Sequence, residues 1–82
     1  MSVEETVRSV VTKIVRKPGT EFTATTTFKD LDADSMDIVQ ILVALEDTYD
    51  IEIIDDELQG VTNMGDFIAY IERKVAEKGN GH

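Results

Sequence analysis

The chain has 82 residues, enough for one domain with a thin core. It has no cysteine, which excludes disulfides, thiolate metal sites and a cysteine nucleophile. Its formal net charge of -9 argues against nucleic acid and anionic membrane as partners, since both need positive charge to neutralise phosphate.

Val3, Val7, Val10, Val11 and Ile14 recur at helical spacing between charged residues, and Ser2 with Glu5 resembles a capping box. The spacing predicts a first helix over residues 3–16, stopped by Pro18-Gly19. Glu4, Glu5 and Arg8 break any apolar run, so this segment reads as neither signal peptide nor membrane span. Residues 18–34 hold Gly19, several threonines and aspartates and no lasting period. They read as a long loop anchored by Phe22, Phe28 and Leu31, and a loop of this length in a small domain is often functional.

The second helix is the clearest element, over residues 35–49. Ile38, Ile41, Leu42, Leu45 and Tyr49 form a wide apolar stripe. Met36, Val39 and Val43 form a second, offset one. The second stripe either faces a partner or is buried beneath neighbours, and periodicity does not choose between the two. Ile51 and Ile53 read as anchors of an ordered turn, because no second strand is available to pair with them. Residues 55–59 predict one short helical turn ending at Gly60. Thr62 or Asn63 can cap the last helix, whose buried face is Phe67, Ile68, Ile71 and Val75. The expectation is an all-α bundle of three main helices plus one short helix, with a domain over residues 1–78 and a flexible tail over 79–82.

Self-contained catalysis is not expected. The one histidine is His82, at the end of the chain, so no Ser-His or Cys-His pair can be built. Asp30, Asp32 and Asp34 open like a calcium-binding loop, but Ser35 stands where that loop needs glycine and Ile41 where it needs glutamate. No metal site is expected. Lys29 is the last basic residue before Arg73, and every charge between them is acidic. That surface steers toward basic patches on partners, or it only keeps a small protein soluble.

Ser35 is the remaining candidate, where the long loop meets the second helix. A serine there is commonly an N-cap. Asp34 is itself a good cap, however, with Asp37 three residues on. If Asp34 caps the helix, the Ser35 hydroxyl points outward, and the helix N-terminus suits a phosphate.

The stretch from Leu31 to Ile53, headed by Asp34-Ser35-Met36, resembles the signature of the acyl carrier proteins, whose central motif is Asp-Ser-Leu. The similarity continues through Asp55-Asp56-Glu57 and Val61-Thr62 into the last helix. The resemblance implies that Ser35 receives phosphopantetheine from coenzyme A through a phosphopantetheinyl transferase, with Asp34 as the aspartate before the serine. The arm's thiol then carries acyl intermediates as thioesters, so a chain without cysteine does thiol chemistry. It also implies that Met36, Asp37, Val39, Val43, Glu46 and Asp47 meet acyl-transferring, condensing and modifying enzymes through their basic patches. Phe28, Ile38, Ile41, Leu42, Leu45, Tyr49, Val61 and Phe67 fall where the family lines its core or shelters the acyl chain. Asp32, Met36, Gln40 and Ile54 stand where the family commonly has glycine, leucine, glutamate and proline. The reading is a monomeric cytoplasmic carrier, not an enzyme, serving fatty acid synthesis or a specialised lipid or polyketide pathway. The alternative is a non-covalent acidic adaptor on the same fold, with Ser35 only a cap.

Overall fold

The computed structural model describes residues 2–15 and 22–80, with side chains described up to Lys78. Three α-helices and one short 3-10 helix follow in order: α1 (Val3–Val15), α2 (Ser35–Tyr49), the 3-10 helix (Asp55–Leu58) and α3 (Met64–Asn80). No strand occurs among the described residues. The predicted helix stop at Pro18-Gly19 lies outside them. Gly79 and Asn80, expected to open a flexible tail, continue α3. A glycine one residue from a helix end costs little, because few backbone bonds depend on it.

Each helix starts where the local chemistry allows. In α1 the Ser2 hydroxyl accepts the Glu5 N–H at 3.1 Å. In α3 three N-terminal N–H groups find separate partners. Met64 and Gly65 donate to Thr26 O at 2.7 Å and Ala24 O at 2.9 Å. Asp66 donates to Asn63 Oδ1 at 2.8 Å, so Asn63 rather than Thr62 is the cap. The loop before α2 is thereby bonded to the start of α3.

The core joins the three α-helices. Val7 and Val11 of α1, Ile41 and Leu45 of α2, and Met64, Phe67, Ile68, Tyr70 and Ile71 of α3 are buried together with Phe22 and Leu31 from the loop. Burying each large apolar side chain contributes roughly 1.5–3 kcal/mol, set against the entropy of ordering a short chain. Met64 and Tyr70 join the predicted face of the last helix, while Val75 is only half-buried. Ile51 and Ile53 pack against this core as turn anchors.

Candidate functional site

The start of α2 is built by two aspartates. Asp34 is the N-cap, in extended backbone, and its Oδ1 accepts the Asp37 N–H at 2.8 Å. Asp37 Oδ2 accepts the Asp34 N–H in return, at 3.4 Å. This reciprocal capping box fixes where the helix begins, and losing such a cap costs about 1 kcal/mol. Ser35 is therefore the first helical residue and not the cap. Its side chain is exposed, and among the described residues nothing hydrogen-bonds its hydroxyl. The first intrahelical bond runs from Ile38 N–H to Asp34 O, so the N–H groups of Ser35 and Met36 precede the helical ladder.

The loop that delivers Ser35 is ordered by its own hydrogen bonds. Thr27 N–H donates to Asp30 Oδ2 and Asp30 N–H to Thr27 Oγ1, each at 3.1 Å. Leu31, only 2% exposed, pins the loop into the core. Asp32 takes a left-handed conformation, with φ 55°. The position where the acyl carrier family commonly has glycine thus requires a positive φ, which aspartate tolerates better than most side chains. Among the described residues no three histidine or carboxylate groups converge as metal ligands.

The two stripes of α2 separate in the fold. Ile41 and Leu45 are fully buried, with Ile38, Leu42 and Tyr49 half-buried beside them. Met36, Val39 and Val43 remain 71%, 57% and 51% exposed. Helix α2 therefore lies at the surface, and its second stripe is free. Ser35, Met36, Val39 and Gln40 line an open depression of about 250 Å³ on that face. Exposed Asp47 is one turn beyond Val43. Asp37 and Glu46 are half-buried and hold backbone: Asp37 in the capping box, and Glu46 Oε2 by accepting the Ile53 N–H at 2.9 Å. The sequence offered no sign of that task for Glu46, since its acceptor role needs the chain to turn back after Asp50.

A separate concavity opens between α2, α3 and the 3-10 helix. Phe28, Ile38, Leu42, Leu58, Val61 and Phe67 line an apolar cleft of about 170 Å³. The Phe28 and Phe67 rings meet edge to face at 5.3 Å. Five of the eight residues expected as core or acyl pocket line it. Ile41 and Leu45 do not, since both are enclosed in the core, and Tyr49 packs against the core elsewhere. Leu58 was missed, though it is the one apolar residue of the short 3-10 helix and so its natural inward contact.

Tyr70 also escaped the sequence reading. It is 5% exposed, and a buried tyrosine hydroxyl usually has a partner. Here it donates to Glu57 Oε1 at 2.6 Å and accepts the Ile54 N–H at 3.3 Å. Lys74 Nζ lies 3.3 Å from the same Glu57 oxygen. The hydrogen bond from Tyr70, aided by Lys74, holds the Glu57 carboxyl below the usual range against some desolvation. Burial, then the bond to Glu57, pushes the Tyr70 phenol up.

This arrangement has clear counterparts. The family model described as phosphopantetheine attachment site matches residues 5–71. The acyl carrier protein of Streptococcus pyogenes serotype M1 is 42% identical over 74 residues, covering 90% of this chain and 97% of that protein. The acyl carrier protein of Helicobacter acinonychis (strain Sheeba) is 37% identical over 73 residues, covering 88% and 94%. The solution NMR structure of holo acyl carrier protein from Geobacter metallireducens superposes with a TM-score of 0.86 at 28% identity, over 100% of this chain and 95% of that one. The chain belongs to the acyl carrier protein family and contains its phosphopantetheine attachment domain, so phosphopantetheine is its covalent cofactor. No helix among the described residues is long and apolar enough to cross a membrane.

Proposed function

We propose that Ser35 is the attachment point and that this chain, a cytoplasmic monomer, passes acyl groups between enzymes of fatty acid synthesis or of a specialised lipid or polyketide pathway. The observation that carries this reading is the division of labour at the start of α2. Asp34 and Asp37 satisfy the cap, so the exposed Ser35 hydroxyl is left as a nucleophile for a phosphopantetheinyl transferase.

The residues fit the group. A phosphodiester on Ser35 would stand at the positive end of the α2 dipole, beside N–H groups the helix does not use. The nearby carboxylates oppose a bare anion, and a transferase that brings Mg2+ offsets that repulsion. The attached arm supplies a terminal thiol that carries acyl groups as thioesters. The chain's own residues do the rest. Met36, Val39 and Val43 offer an apolar patch for docking, and Asp47 attracts cations at its edge. Asp37 and Glu46 add charge there while holding backbone. The cleft lined by Phe28, Ile38, Leu42, Leu58, Val61 and Phe67 is apolar enough to shelter the start of an acyl chain from water.

The test is intact mass after incubation with coenzyme A, Mg2+ and a broad-specificity phosphopantetheinyl transferase. The expected result is a gain of one phosphopantetheinyl unit that Ser35→Ala abolishes without unfolding the chain. No gain from folded protein would overturn the reading in favour of a non-covalent acidic adaptor.

A further inference from the structure

The apolar cleft has one wall that no α-helix supplies. Ile38 and Leu42 come from α2 and Phe67 from α3, all on elements held by the core. Leu58 and Val61 come from the 3-10 helix and the residues after it. That helix is a single turn, Asp55–Leu58, with no buried residue of its own. Its backbone bonds are local: Glu57 to Ile54, Gln59 to Asp56 and Val61 to Leu58. A turn this short does not hold its own position.

Leu58 and Val61 rest against the core without being buried in it, and the hydrogen bonds that reach the segment from α3 come from Tyr70 and Lys74. The phenol stands on α3 with its ring in the core. Its hydroxyl reaches the segment at two points, the Ile54 N–H just before the 3-10 helix and the Glu57 carboxylate within it. Lys74, one turn along α3, reinforces Glu57. Leu58, the residue after Glu57, faces the cleft, whereas Tyr70 does not line it.

We infer that Tyr70, acting through Glu57 and Ile54, is a positioning residue that sets the cleft's wall and thereby the length of acyl chain the cleft accepts. This rests on the reading that Ser35 is loaded and that the cleft receives the chain. Its volume of about 170 Å³ is close to that of the ~150 Å³ apolar cavity that takes up benzene, so the latched cleft takes about six carbons. A longer chain must either leave its end in water or push Leu58 and Val61 outward against the Tyr70 bonds. Releasing Tyr70 removes that resistance.

The experiment loads the full-length chain with a series of saturated acyl groups of increasing length. It measures the rise in melting temperature over the unacylated, phosphopantetheine-bearing form. In the wild type the rise peaks near about six carbons and falls for longer chains. In Tyr70→Phe, which keeps the ring in the core, the peak moves to longer chains. Glu57→Ala, at an exposed residue, moves it the same way and decides the matter if Tyr70→Phe does not fold. The double variant moves it no further than Tyr70→Phe alone, because the Glu57 bond is already cut there. A latch that only stabilises the fold lowers every melting temperature and leaves the peak where it was, and that result overturns the inference. A loaded wild type with no length dependence overturns the cleft reading and the inference together. A chain that cannot be loaded at Ser35 overturns the carrier reading itself.

Discussion

Gly65 sits so close to Ala24 that a Cβ on the glycine would lie 2.8 Å from the alanine's Cβ and 3.0 Å from its carbonyl oxygen. The Gly65 N–H donates to that same oxygen at 2.9 Å, so the contact is both a hydrogen bond and a steric limit. Gly65→Ala should cost about 1–3 kcal/mol by forcing the loop off the start of α3. Gly60, with nothing within 4 Å of its added Cβ, is the matched control. Urea denaturation of the two alanine variants checks this: the Gly65 midpoint falls and the Gly60 midpoint holds or rises.

Glu46 separates charge from structure in one residue. Glu46→Ala strands the Ile53 N–H and should cost about 1–3 kcal/mol. Glu46→Gln keeps an oxygen acceptor and should stay close to wild type in stability. Any loss of enzyme binding that Glu46→Gln shows while its melting temperature holds is therefore charge recognition. Equal destabilisation by both substitutions would show that the Ile53 bond depends on the charge.

Stability should form a plateau against pH with edges of known origin. Lys78, hydrogen-bonded to the Asp50 carboxylate and carbonyl, holds that carboxyl below its usual range by the bond first and its charge second. Glu57 is lowered as well. For both, the unfolded chain binds protons more readily, so their stabilisation is present above the ordinary carboxylate range and lost as pH falls through it. Tyr70 is raised, so its contribution is present below the ordinary tyrosine value of about 10 and lost as pH climbs past it. Melting temperatures across pH should show Lys78→Met weakening the acid edge and Tyr70→Phe weakening the alkaline one.

Asp32 stands at a backbone position that few side chains favour. At φ 55° a β-branched side chain is strained, so Asp32→Val should cost about 1–2 kcal/mol. Asp32→Gly should stay within about 1 kcal/mol of wild type, because relief of the positive φ opposes the added freedom of the unfolded chain and the loss of the side chain's own contact. Thermal melts of the pair give the order directly, and a Val variant as stable as the Gly variant would contradict it.

The helices were legible because their causes are local. Apolar residues at helical spacing, Ser2 at the first cap, and the unpaired position of Ile51 and Ile53 all act within a few residues along the chain, whereas spacing left the last helix's cap between Thr62 and Asn63. Local chemistry allowed either Ser35 or Asp34 as the cap of α2, and the reciprocal bonds of Asp34 and Asp37 chose Asp34. What periodicity left open was which stripe of α2 is covered, since both have helical spacing. Only the burial of Ile41 and Leu45 in the core shared with α1 and α3 decided it, leaving Met36, Val39 and Val43 outside. The closeness of Gly65 to Ala24, the hold of Glu46 on Ile53 and the reach of Tyr70 to Glu57 were likewise decided by tertiary structure. Each joins residues that no local spacing relates, so the contact exists only once the chain has folded back and chosen its neighbours.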